Sequence, residues 1–346
     1  IASGNLAVIQ EFIEYQIRLF KTHDSGHEGF RLYHFVVLLI GCFPASVFFI
    51  PSHTKNPSDT PFQVYVKKWM LALFWVVLII FTLVNTKIVH YSSMCYFPLT
   101  YLAAYKLHDI IYSRKKLNSI VFSLGLFLII VLGIAFTAAG LINYFVPTIA
   151  NSNLIDDKFA VASLLTPVKW YGFEWIVGVL FLVFSIYFFI NLHKNKKYMY
   201  GLFTTSLLTI WLITLLIVPK VEPYSQGPAI EFYESLKGKD CYVETIGFKS
   251  YAYLFYTDRQ PAHNSPDMLT YIKSEKERVA KTNGEDYDFS LFSLNWMLFK
   301  TIDKPAYLAA KVTEIENIRK YHPDLIELYQ KGGFVFYKRL PLPNNH

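Results

Sequence analysis

Long apolar runs dominate the first two thirds of the chain, centred near residues 38, 76, 130, 182 and 210. Each is roughly 18 to 25 residues long, enough to cross a hydrocarbon core of about 30 Å. A weaker run over 94–111 is interrupted at its end by Lys106, His108 and Asp109. The pattern predicts six membrane helices, over 32–50, 69–85, 94–111, 120–146, 170–192 and 200–218. The first carries Pro44, tolerable where neighbouring helices satisfy the freed backbone. Ahead of it, residues 1–31 are polar and amphipathic. Phe12, Ile13, Ile17 and Phe20 recur there at helical spacing, which suits a helix lying on the membrane face. From residue 220 the pattern turns globular. A helix begun by Pro228 is predicted over 228–236, a strand over 241–247, a helix over 312–321, and a final strand over 333–338 after the Gly332-Gly333 turn. The fold class read from this pattern is an α-helical polytopic membrane protein of about six transmembrane helices with a small C-terminal α/β extracytoplasmic domain. It divides into 1–31, 32–219 and 220–346.

Composition agrees: of 346 residues, 53% are hydrophobic and 17% charged, which excludes a soluble globular protein, a disordered chain and a disulfide scaffold. Many of the 25 Tyr and 30 Phe sit where apolar runs meet polar segments, as interface anchors do. The net charge of +7 is confined to the membrane half, because residues 1–219 hold 16 Lys and Arg against 9 Asp and Glu while residues 220–346 hold 17 of each. A basic excess restricted to inter-helix loops orients a membrane protein and argues against a nucleic-acid partner. Lys55, Lys67 and Lys68, then Arg114, Lys115 and Lys116, then His193, Lys194, Lys196 and Lys197 follow alternate spans and agree on one side. By the positive-inside bias they are cytoplasmic. That leaves residues 1–31, the 86–93 connection, the 147–169 loop and the C-terminal domain outside, the periplasm in a bacterium. Cys42, Cys95 and Cys241 form no CxxC pair, so neither a zinc cage nor a disulfide framework is indicated. The chain begins at Ile1 without an initiator Met or a basic leader, so further residues are expected upstream.

Two clusters could carry chemistry. His23, Asp24, His27, Glu28, Arg31 and His34 lie within twelve residues ahead of the first span. His23 and His27, four apart, would share a helical face and could ligate a divalent metal, although Gly26 and Gly29 argue against a continuous helix and no HExxH or third spaced ligand exists. Arg18 and Arg31 are cations at the mouth of a helix bundle, suited to a phosphate held through two parallel hydrogen bonds. The second cluster is Lys87-Ile88-Val89-His90-Tyr91, a very short external connection. Either Lys87 snorkels beside a belt Tyr91, or the two contact a lipid phosphate. Glu174 is expected one turn inside the fifth helix beside Trp170, Tyr171 and Trp175, as an interfacial carboxylate. Asp156 and Asp157 read as solvated loop residues.

The segment Gln16-Ile17-Arg18-Leu19-Phe20, with His27, then residues 30–33, then Leu38-Leu39-Ile40-Gly41-Cys42-Phe43-Pro44, resembles the last external loop and following helix of bacterial membrane glycosyltransferases. The family is the aminoarabinose transferase and protein mannosyltransferase superfamily, the GT-C fold. Lys87 to Tyr91 followed by Tyr96-Phe97-Pro98-Leu99 looks like that family's Lys-Leu-Pro-x-Tyr segment and its next helix, with Val89 in place of the Pro. The resemblance implies a polyprenyl-phosphate sugar donor whose phosphate is held by Lys87, Tyr91, Arg31 and Arg18, with a metal associated with His27. The family's acidic catalytic residue lies in a first external loop that has no counterpart here, so the chain looks like the C-terminal half of such an enzyme, inactive alone.

The expected function is therefore an inverting transfer of a sugar from a polyprenyl-phosphate donor to a lipid, glycan or protein acceptor at the outer face of a bacterial inner membrane. A rival reading is a non-catalytic membrane subunit whose external domain docks a partner, with Lys87 and Tyr91 mere belt residues. A transporter lacks the paired broken helices of inverted repeats.

Overall fold

A computed structural model of the chain describes residues 9, 10, 12–14, 17, 30–54, 57–113, 117–152, 154–260, 263–280 and 289–341. Most of the surface helix expected over residues 1–31 lies outside these. The described positions within it up to residue 17 are helical, and Phe12, Ile13 and Ile17 are exposed. The protein is mostly helical, with one four-stranded sheet near its C-terminus. Two compact units make it up: residues 1–139 with 175–213, and residues 140–174 with 214–346.

In the first unit, α1 (Tyr33–Gly41) and α2 (Ala45–Phe49) are followed by α3 (Pro61–Leu83), α4 (Tyr96–Ser113) and the start of α5 (Ser119–Ala150), then α7 (Ile176–Ile190) and α8 (Lys196–Leu216). Three helical stretches are long and apolar enough to cross a membrane: α3, α5 and Lys196–Tyr224. The 23 residues of α3 reach about 34 Å at 1.5 Å per residue. α7 is apolar but only 15 residues long, and α4 is less apolar, with Lys106 and Asp109 paired at 3.3 Å.

The first expected span is not one continuous helix. Tyr33–Gly41 and Ala45–His53 meet at a bend of 111°, and counted together they make a fourth candidate span. Pro44 has no N–H to donate, so the ladder that ends with Cys42 N–H on the Leu38 carbonyl resumes only at Ser46 N–H on the Cys42 carbonyl. The Ser46 hydroxyl donates to the stranded Leu39 carbonyl at 2.6 Å, the compensation a broken helix needs away from water.

α3 starts sharply. Thr60 and Gln63 form a reciprocal capping box, and Pro61 occupies the first helical position. Val47, Phe48, Leu78, Leu99, Leu102, Ile129, Phe181 and Phe189 form the core of this unit. α5 and α7 approach closely through small residues: a Cβ at Gly178 would sit 2.2 Å from the Thr137 backbone nitrogen.

In the second unit, α6 (Lys158–Leu164) is capped by Asp157, which accepts from Phe159 N–H at 2.8 Å. The sheet runs β1 (Tyr242–Ile246), β2 (Ala306–Lys311), β4 (Phe334–Arg339), β3 (Ile326–Lys331), with β1 and β2 parallel and the other pairs antiparallel. α11 (Pro266–Ala280) and α12 (Phe289–Phe299) cover one face, burying Met268, Ile272, Phe292 and Trp296 against Leu308 and Val335. α9 (Gly227–Ser235) and α10 (Ala252–Tyr256) cover the other, with Phe232, Tyr233 and Tyr253 against Val243, Ala309 and Phe336. α13 (Ile315–Tyr321) precedes β3. The expected elements at 228–236, 241–247, 312–321 and 333–338 correspond to α9, β1, a 3-10 turn leading into α13, and β4. Gly332 makes the β3–β4 turn at φ +57, with a missing Cβ that would meet the Thr166 hydroxyl at 2.7 Å.

Candidate functional site

The last carbonyls of an α-helix have no partner inside it. At the end of α3 those of Phe81, Thr82 and Val84 are taken by one group, the Lys87 ammonium, at 3.3, 2.7 and 2.6 Å. A cation there also complements the negative end of the helix dipole. The side chain is not a snorkelling one reaching for water, because Lys87 is only 6% exposed. Burial, and then the nearby charge of Arg31, push its ammonium below the usual lysine range. Arg31 itself is exposed, in the turn that leads into α1.

One helical turn on, His34 is fully buried, packed edge-on against Tyr33 at 5.2 Å and Phe81 at 6.4 Å between ring centroids. Among the described residues neither of its ring nitrogens has a hydrogen-bond partner. A buried imidazole always carries at least one N–H, so an orphan there is costly and asks for an explanation. Tyr91, half-buried in the 3-10 turn Val89–Cys95, lays its ring on Phe81 at 5.2 Å. Phe81 is the common neighbour that brings these groups together: its ring meets His34 and Tyr91, and its carbonyl meets Lys87. The arrangement offers two cations, a phenol and an imidazole, with no carboxylate paired to Lys87 or Arg31 among the described residues. It suits an anion.

Of the residues singled out in the sequence, Lys87, Tyr91 and Arg31 are thus gathered at one end of α3. Arg18, His23 and His27 lie outside the described residues. Among the described residues no group of three His, Cys, Asp or Glu side chains is placed to hold a metal. His34 was visible in the sequence only as one of a histidine-rich stretch. Its partnerless burial depends on Phe81 in a different helix, which no local pattern reports.

Glu174 differs from expectation. It precedes α7, which starts at Ile176, and it is fully buried. Its oxygens accept from the Tyr171 and Gly172 N–H groups at 2.8 Å each and pair with the Lys220 ammonium at 2.8 Å. Lys220 also donates to the Lys169 carbonyl at 2.8 Å and lies 4.0 Å from the Tyr171 ring centroid. Every lone pair in use is spent on the fold. This carboxylate clamps residues 169–174 to the turn at Val218–Val221 within the second unit.

No family model and no curated protein matches the chain. Among solved structures it is similar to the crystal structure of ArnT from Cupriavidus metallidurans bound to undecaprenyl phosphate, at 15% identity and a TM-score of 0.49. The match covers 94% of this chain and 55% of that one, so the chain spans about half that protein's length.

Proposed function

We propose that the chain is the donor-binding half of a membrane glycosyltransferase, and that Lys87, Arg31, His34 and Tyr91 surround the phosphate of a polyprenyl-phosphate sugar. The observation that carries this reading is the buried imidazole of His34, without a hydrogen-bond partner among the described residues, beside Lys87, which in turn feels the charge of Arg31, at the end of an apolar helix. Unpaired charge in a partly desolvated place is tolerated when a ligand of opposite sign completes it. In the transfer, the bond between the sugar's anomeric carbon and the phosphate oxygen breaks, and the oxygen leaves with the electron pair. Lys87 and Arg31 stabilise the charge that develops there, and the His34 and Tyr91 protons are within the same cluster to donate to it. The acceptor is a hydroxyl of a lipid, glycan or protein. The base that takes its proton is a group other than Lys87, Arg31, His34 and Tyr91. To Arg18, which lies outside the described residues, we assign a further contact to the same phosphate, and to His27, also outside them, an associated metal. In the orientation this requires, the site and residues 220–346 face the periplasm, and 51–68, 112–118 and 193–198 face the cytoplasm.

Binding of undecaprenyl phosphate to the purified chain in nanodiscs tests this. All three donors of the Lys87 ammonium are held by the Phe81, Thr82 and Val84 carbonyls, so a bound phosphate takes one of them over from a carbonyl, and Lys87→Ala, which removes the cation, lowers affinity about tenfold. Because Lys87 also caps α3, the comparison is made at equal folded fraction and beside Arg31→Gln, which leaves the cap in place and still weakens binding. Tyr91→Phe costs less than either. Unchanged affinity in both charge variants would return Lys87 to a purely structural cap.

A further inference from the structure

The second unit holds a cavity of about 460 Å³, a volume typical of small-molecule sites. It opens beside the start of β1 and the loop after α10, far in sequence from the α3 cluster. Arg259 lines it. Its guanidinium donates to the Cys241 carbonyl at 3.2 Å and the Asn264 side-chain oxygen at 2.9 Å, both neutral acceptors, and lies 5.2 Å from the Tyr242 ring centroid. Among the described residues no carboxylate forms an ion pair with it. Burial pushes the guanidinium below its usual range, the sign of a cation short of solvent.

The wall carries two carboxylates, Asp240 and Asp258, neither of them ion-paired to Arg259 among the described residues. Asp240 is claimed by Lys304 at 2.7 Å, while Lys239 adds a second cation to the lining. The guanidinium fork spends two of its five donors on the protein, which leaves donors for a planar or tetrahedral oxyanion. Leu236 and Val243 supply apolar lining, and Asp258 and Thr257, whose hydroxyl donates to the Tyr253 carbonyl at 2.6 Å, supply polar lining. An apolar patch with scattered hydroxyl and carboxyl groups matches the mixed faces of a sugar ring.

We infer that this cavity binds an anionic saccharide, a phosphate- or carboxylate-bearing sugar, through Arg259 and Lys239. The site shares no residue with the α3 cluster, and the inference stands whether or not that cluster binds a lipid donor.

The test is ligand-observed NMR and calorimetry on the full chain in nanodiscs, with glucose 1-phosphate, glucuronate and uncharged glucose as probes. Saturable binding of one or both charged sugars with a Kd of about 1 mM or tighter, and none of glucose, is the expected result. The arm that binds identifies the oxyanion. Arg259→Gln lowers that affinity about tenfold or more. Lys239→Gln, at an exposed position that leaves folding untouched, lowers it several-fold. Equal binding of glucose, the absence of saturation with both charged sugars, or an affinity unmoved by Lys239→Gln in a folded protein overturns the inference.

Discussion

Replacing Glu174 by Gln keeps the side chain's shape and deletes its charge, leaving the Lys220 ammonium without its counter-ion at a site where the carboxylate is fully buried and Lys220 about 10% exposed. Breaking one side of a buried pair costs about 3 to 5 kcal/mol. Lys220 retains the Lys169 carbonyl and the faces of Tyr171 and Trp170, at 4.0 and 5.2 Å from their centroids, and such cation–π contacts return about 1 kcal/mol. The net expectation is a loss of about 2 to 4 kcal/mol, with the amide also forced to turn its NH₂ toward one of the two N–H groups that the carboxylate now accepts. Reversible unfolding of the full chain in mixed micelles, followed by tryptophan fluorescence, reads this directly. Trp170 reports locally, because its indole donates to the Tyr224 hydroxyl at 3.0 Å within the same clamp. Lys220→Met alone is also destabilising. The double variant Glu174→Gln/Lys220→Met loses less than the sum by about 1 to 3 kcal/mol, since the second change removes a charge already orphaned. A single-variant loss under about 0.5 kcal/mol, or strict additivity, would refute the clamp.

Gly332→Ala forces an L residue to φ +57 with its Cβ against the Thr166 hydroxyl, and costs about 1 to 2 kcal/mol in the same unfolding measurement. Gly178→Leu pushes α7 off α5 at the Thr137 backbone and lowers stability by about 2 kcal/mol or more, whereas Gly41→Ala, where a Cβ meets nothing within 4 Å, is tolerated or mildly stabilising. Glu244 is buried on β1 beneath the Tyr253 and Ser293 hydroxyls, at 2.8 and 2.5 Å, and burial outweighs these donors to raise its carboxyl above the usual range. The folded state then holds the proton more tightly than the unfolded one, so stability falls as pH climbs from about 4.3 through the folded value. Glu244→Gln flattens that stretch of the stability profile.

Much of the fold could be read from the pattern because lipid leaves few choices: a long apolar run must be a helix, so α3, α5 and α8 are visible as runs. The bend between α1 and α2 was not, since Pro44 within an apolar run is compatible with a continuous kinked helix or a full break, and the outcome depends on whether Ser46 can satisfy Leu39. β2 escaped notice because Ala306–Lys311 is alanine-rich and buried on both faces in the sheet interior, so it shows no alternation. β3 escaped for the opposite reason, as an edge strand exposed almost throughout. Glu174 was placed a turn too deep because Trp170 and Tyr171 look like the start of a membrane helix, whereas Gly172 at φ +88 holds a loop there. At the candidate site, Lys87, Tyr91 and Arg31 could be singled out by residue type and position. That Lys87 caps the preceding helix and that His34 is stranded beside it follow only from the packing around Phe81.

The central claim concerns one location for one phosphate. A cryo-electron microscopy reconstruction of the chain in nanodiscs loaded with undecaprenyl phosphate, made more tractable by a bound antibody fragment, locates it. The account predicts phosphate density within hydrogen-bonding distance, about 2.7 to 3.2 Å, of the Lys87 ammonium or the Arg31 guanidinium, with a His34 ring nitrogen turned toward it. Phosphate density elsewhere in the helical unit, with Lys87 still holding only the Phe81, Thr82 and Val84 carbonyls and His34 still without a partner, would contradict it.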